Sequence, residues 1–134
     1  MKRITHQPLV RYIGGDEWRL EEEFFYRVGS DESDDVIIVP IGTITDFASI
    51  PPPFSAIYPK AGPYLPAAIL HDYLCVTRLR SSDEAHAIFR EAMEVLGIPR
   101  LRRELFYRAV MWFGPRFAAV TTPAKVLKYG KRER

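Results

Sequence analysis

The chain has almost no cysteine, no long apolar run and no real surplus of either charge, and each shortage removes a class of protein. Cys75 is the only cysteine among 134 residues, so no disulfide can close within the chain and a Cys-rich zinc site is excluded. A reducing compartment is expected, the cytoplasm of a host cell or a virion made there. No window approaches the roughly 18 uninterrupted apolar residues of a membrane span, and residues 1–12 (MKRITHQPLVRY) place no apolar stretch behind their basic groups, so neither export nor membrane embedding is expected. With 19 Lys and Arg against 17 Asp and Glu the formal charge is only +2, which disfavours a nucleic-acid binder that works by charge. The G-x-S-x-G elbow, the Gly-rich phosphate loop ending in Lys and the H-E-x-x-H zinc pair are also missing.

What is present is ordinary globular material, 47% hydrophobic and 27% charged, enough for one domain over residues 1–134. Residues 121–134 read as a basic, partly flexible tail. Trp18, Leu20, Phe24, Tyr26 and Val28 recur at even spacing between charged residues, the alternation of a half-buried strand, with Glu22 breaking the pattern. Gly14, Gly15 and Asp16 predict a hairpin turn joining that strand to one over 9–13, and residues 36–39 predict a further strand. From Pro40 to Pro66 repeated Pro and Gly exclude long regular elements. Three helices follow: one from Pro66 to Thr77, one opened by the capping box Ser81–Glu84 and closed by Gly97, and one opened by Pro99 and closed by Gly114. The expectation is an α+β fold, a small N-terminal antiparallel sheet followed by a loop and a three-helix C-terminal half. Trp112, Phe106, Phe113 and Phe117 are expected in the core.

The first helix is apolar nearly all round yet carries His71 and Asp72 where Leu would pack, and polar groups inside a protein need partners. Consecutive helical positions stand ~100° apart, so the two side chains point in different directions and Asp72 does not orient His71. His86 lies on the flank of the apolar stripe Ala85, Ile88, Phe89, Ala92 and Leu96, where it can face His71 or Cys75 across the helix pair. Asp46 follows the third strand in a loop, a common place for functional groups; holding the turn is the competing role for Asp46 and Ser49. Cys75, one turn from His71, is within reach of a thiol–imidazole contact.

The strings TDFASIP at 45–51, AAILHDYLC at 67–75 and AHAIFREAM at 85–93 resemble a domain-of-unknown-function family, number thirteen fifty-three, that the resemblance places in phages and prophages; the position of His86 is commonly Asp there. The order of a loop Asp, a helical His-Asp pair and a polar residue on the next helix is also similar to the phospholipase A2 plan, which implies His71 as a base, Asp72 as a metal ligand and His86 as the group that orients the base. Two functions follow as expectations. One is a metal-assisted hydrolase of an ester, amide or phosphoester, with His71 and Asp72 catalytic and Asp46, His71, Asp72 and His86 holding zinc, manganese or iron, calcium being a poorer match to such mixed ligands. The other is a non-catalytic phage virion, tail or host-factor-binding protein in which the His-Asp pair is structural.

Overall fold

In the computed structural model, residues 3–4, 8–15, 17–46, 64–114 and 116–119 are described. Five strands, β1 (Val10–Gly14), β2 (Glu17–Leu20), β3 (Phe24–Arg27), β4 (Val36–Val39) and β5 (Ile44–Thr45), precede three helices, α1 (Leu65–Thr77), α2 (Ser82–Val95) and α3 (Arg100–Phe113). The α+β architecture and the order of its parts are those expected from the sequence.

The strand expected over 18–28 is in fact two, in two sheets: β1-β2-β5 and β3-β4, all antiparallel. Glu22 is the reason. Leu20 and Phe24 are both fully buried, and an unbroken pleat would put the carboxylate between them on the same face, at high desolvation cost. The chain bends instead, and Glu22 turns outward to accept the Leu9 N–H at 3.0 Å. The opposing chain bends with it, because Gly42 N–H donates to Leu20 O and Leu20 N–H to Thr43 O, both at 2.8 Å. Thus β4 belongs to one sheet while β5, which lies within the segment where Pro and Gly argued only against long elements, belongs to the other.

The core faces follow the register. Phe24 pairs with Val39 and Tyr26 with Ile37, and all four are buried against α1 and α2 residues that include Ile69, Leu70, Leu74, Phe89 and Met93. Helix α1 is buried on nearly every side. It ends where Arg78 takes a left-handed conformation (φ 55°) and donates its N–H to Leu74 O at 2.8 Å. Ser81 caps α2 by accepting the Glu84 N–H at 3.2 Å, as the capping-box reading required. A cross-link holds α2 to the sheet: Glu91 accepts from the Tyr26 hydroxyl at 2.6 Å and from the Gly29 N–H at 3.0 Å, and pairs with the Arg3 guanidinium at 3.0 Å. Two aromatics depart from the expected core, for Trp112 and Phe113 are 62% and 61% exposed, whereas Phe106 is buried and Phe117 packs against the core.

Candidate functional site

Helix α1 lies between α2 and the β5 end of the sheet, so its two polar residues serve different neighbours. His71, 4% exposed, faces α2, where its Nε2 stands 2.9 Å from His86 Nδ1 and its ring lies 4.8 Å from that of Phe89. A hydrogen bond between two imidazole nitrogens requires one to donate and the other to accept, so the pair fixes complementary tautomers. Burial, reinforced by the neighbouring His86, pushes the His71 pKa down to about 3. His71 is therefore a neutral imidazole near pH 7.

Asp72 faces the other way. Its carboxylate accepts from the Thr45 hydroxyl and from the Asp46 N–H, the latter at 3.2 Å, joining α1 to β5 and to the first residue of the loop beyond it. Glu17, Ile44, Thr45, Asp46, Asp72, Cys75 and Val76 line an open cleft of about 380 Å³. Cys75 connects the two sides, since it lines the cleft while its Sγ lies 3.7 Å from His71 Nε2. Burial first, then the Asp72 and Asp46 carboxylates, push the thiol up to about 12. The contact thus joins two neutral groups and lacks the thiolate of an activated cysteine.

The structure brings His71 to His86 and Asp72 to Asp46, and does not bring the four together. Two nitrogens each ~2.0–2.1 Å from one tetrahedral zinc stand more than ~3 Å apart. His71 Nε2 and His86 Nδ1 are instead at hydrogen-bond separation and aimed at each other. Among the described residues no three of His, Cys, Asp and Glu gather as a metal-holding group, so the four-residue ligand set does not fit this arrangement. The physical cause is the ~100° step between adjacent helical residues, which sends Asp72 to the cleft and His71 to the helix interface. The orienting relation expected of His86 toward His71 is present in distance, with an imidazole where a carboxylate would accept.

Sequence reasoning missed Thr45 and Glu17. Thr45 stands beside Asp46 in the quoted TDFASIP string, but nothing in the string tells a bonding hydroxyl from a strand-forming one. Glu17 is one of many acids between 14 and 35 and carries no distinguishing pattern. Ser49 lies outside the described residues.

The family model described as "Protein of unknown function (DUF1353)" matches residues 18–110. The chain belongs to the DUF1353 family. The matched stretch takes in Thr45, Asp46, His71, Asp72, Cys75 and His86. Two curated relatives come from Sinorhizobium fredii (strain NBRC 101917 / NGR234). Uncharacterized protein y4jT is 40% identical over 79 residues, 58% of this chain and 24% of its own length; uncharacterized protein y4iH is 38% identical over 78 residues, 56% of this chain and 32% of its own length. The matching part of this DUF1353 chain thus spans about a quarter to a third of those relatives. No solved structure matches it significantly.

One residue at the edge of the histidine pair gives a direct test of its packing. Gly114 closes α3, and a Cβ there would overlap the Val110 carbonyl oxygen and come within 3.3 Å of His86 Cε1. Gly114→Ala is expected to cost about 1–3 kcal/mol by overpacking, measured by urea unfolding. A cost below about 0.5 kcal/mol would show that the α3 end does not confine His86.

Proposed function

We propose that this DUF1353 unit is a non-catalytic binding or accessory module whose His-Asp pair is a structural joint. One observation carries the reading: the two halves of the pair spend their contacts inside the fold, His71 on His86 and Asp72 on Thr45 and the Asp46 N–H, so that α1 is clamped to α2 on one side and to β5 on the other. The low His71 pKa supports it, because a base so far below neutrality takes up a proton poorly near pH 7. Among the described residues no helix is long and apolar enough to cross a membrane. A virion or tail component and a binder of a host factor, working in the host cytoplasm or on the particle, are the forms such a module takes in the phage setting that the resemblance implies. That the matched stretch forms only a fraction of the longer relatives supports the module reading.

A second reading, a metal-assisted hydrolase, is favoured by the open cleft that Asp46 and Asp72 line. Their carboxylates would supply hard oxygen donors and a bound ion would polarise substrate or water. Elemental analysis after reloading with zinc, manganese and calcium, run beside unfolding of Asp72→Asn and His71→Ala, separates the two. The joint predicts no near-stoichiometric metal and a loss of about 1–3 kcal/mol in each variant. Stoichiometric metal on the parent, lost in Asp72→Asn with the melting temperature unchanged, would overturn the joint in favour of the hydrolase.

A further inference from the structure

Helix α3 buries one side and leaves on the other a pattern that its own fold does not use. Phe106, Ala109 and Val110 are buried. Opposite them run Leu101, Leu105, Arg108 and Trp112, of which Leu101 and Trp112 are 73% and 62% exposed, Arg108 is exposed and Leu105 half-buried. Their spacing of four, three and four residues is the seam of a two-helix coiled coil, over a helix about 21 Å long at 1.5 Å per residue.

The charges on α3 stand at the wrong ends for an isolated helix. Its first turn has no acid and holds Arg100, Arg102 and Arg103, where the helix dipole disfavours cations; its last turn has no base, where the dipole favours them. Both defects disappear if a second α3 lies antiparallel against the first. About a two-fold axis passing between positions 105 and 108, Leu101 meets the partner's Trp112 and Leu105 meets the aliphatic stem of the partner's Arg108. Arg100 and Arg102 come beside the carbonyl end of the partner helix. The contact is isologous and closes on itself.

We infer that α3 is the interface of a homodimer, formed by two copies of this chain packing their Leu101–Leu105–Arg108–Trp112 seams antiparallel. Charge decides against the other occupants. A bilayer would have to accept Arg108 in the middle of the apolar seam, and a parallel pair would set the arginine-rich first turns side by side.

Sedimentation velocity on the full chain tests this. The expected result is a monomer–dimer equilibrium with a dissociation constant on the order of 1–100 µM, suited to an interface at the small end of the specific range. Trp112→Glu and Leu101→Glu are each expected to weaken dimerisation at least tenfold without loss of far-ultraviolet ellipticity, since both side chains are already exposed. Arg102→Glu should weaken it as well, because it reverses the charge set against the partner's carbonyl end. Direction is read by oxidising a mixture of Leu101→Cys and Trp112→Cys, where the antiparallel pair gives mainly the mixed disulfide and a parallel pair the two like ones. A chain that stays monomeric at 200 µM (about the top of the range probed), a dimer unmoved by Trp112→Glu, or a monomer that floats with phosphatidylglycerol vesicles would overturn the inference.

Discussion

Replacing Glu91 by Ala is expected to remove roughly 2–4 kcal/mol of stability, among the largest losses available from a single polar side chain in this fold. The carboxylate is 30% exposed, yet it receives the hydroxyl of the fully buried Tyr26, the Gly29 N–H and the Arg3 guanidinium. Deleting it leaves a buried phenol and a largely buried cation without their acceptor, and that desolvation cost exceeds the worth of the bonds themselves. Burial and the Glu91 carboxylate together raise the Tyr26 pKa, so the phenol is the donor throughout the accessible pH range. Tyr26→Phe removes donor and demand together and should cost only about 0.5–1.5 kcal/mol. Urea unfolding of both variants and of the double variant checks the coupling; a Glu91→Ala loss no larger than that of Tyr26→Phe would show that solvent replaces the carboxylate at no cost.

Acidification is the second large effect. An unfolded His71 takes up its proton near its ordinary value of 6.5, whereas the folded one does so only at about pH 3. Between those values the unfolded chain binds more protons, so stability falls as the pH falls; above 6.5 the contribution is complete and flat. The slope approaches 1.4 kcal/mol per pH unit, and the full window is worth roughly 3–5 kcal/mol. From pH 6.5 to 5 most carboxylates remain ionised, so the drop in unfolding free energy across that interval isolates the histidine. His71→Leu should abolish it. A flat profile from 6.5 to 5, or the same slope in His71→Leu, would mean that the imidazole is protonated inside the fold.

The helices were legible because their boundaries are local chemistry: Pro66, the Ser81–Glu84 box, Pro99 and the two closing glycines act within a turn of themselves. The sheet was legible only as alternation. Glu22 showed that the alternation fails, but not that the chain would use the failure to pass from one sheet to another, which depends on the bend of the opposing strand at Gly42 and Thr43. At the site, ~100° per residue was enough to send His71 and Asp72 apart, and the flank position of His86 was enough to bring it toward α1. The destination of Asp72 depended on β5, a two-residue strand that leaves no periodic trace. Trp112 and Phe113 were misplaced in the core because helical spacing locates a stripe without saying whether the protein's own core or another surface covers it.

The Glu91 cross-link has a consequence for the speed of the molecule as well as its stability. The β1–β2 and β3–β4 hairpins and the successive helix pairs α1–α2 and α2–α3 close between neighbours in sequence, whereas Glu91 reaches Tyr26 and Gly29 across 65 and 62 positions. Contacts so distant along the chain carry a large loop-closure entropy and form after the local ones. A bond made after the rate-limiting barrier holds the native state shut without hastening its formation, so Glu91 acts as a latch, setting how long a molecule stays folded rather than how quickly it gets there.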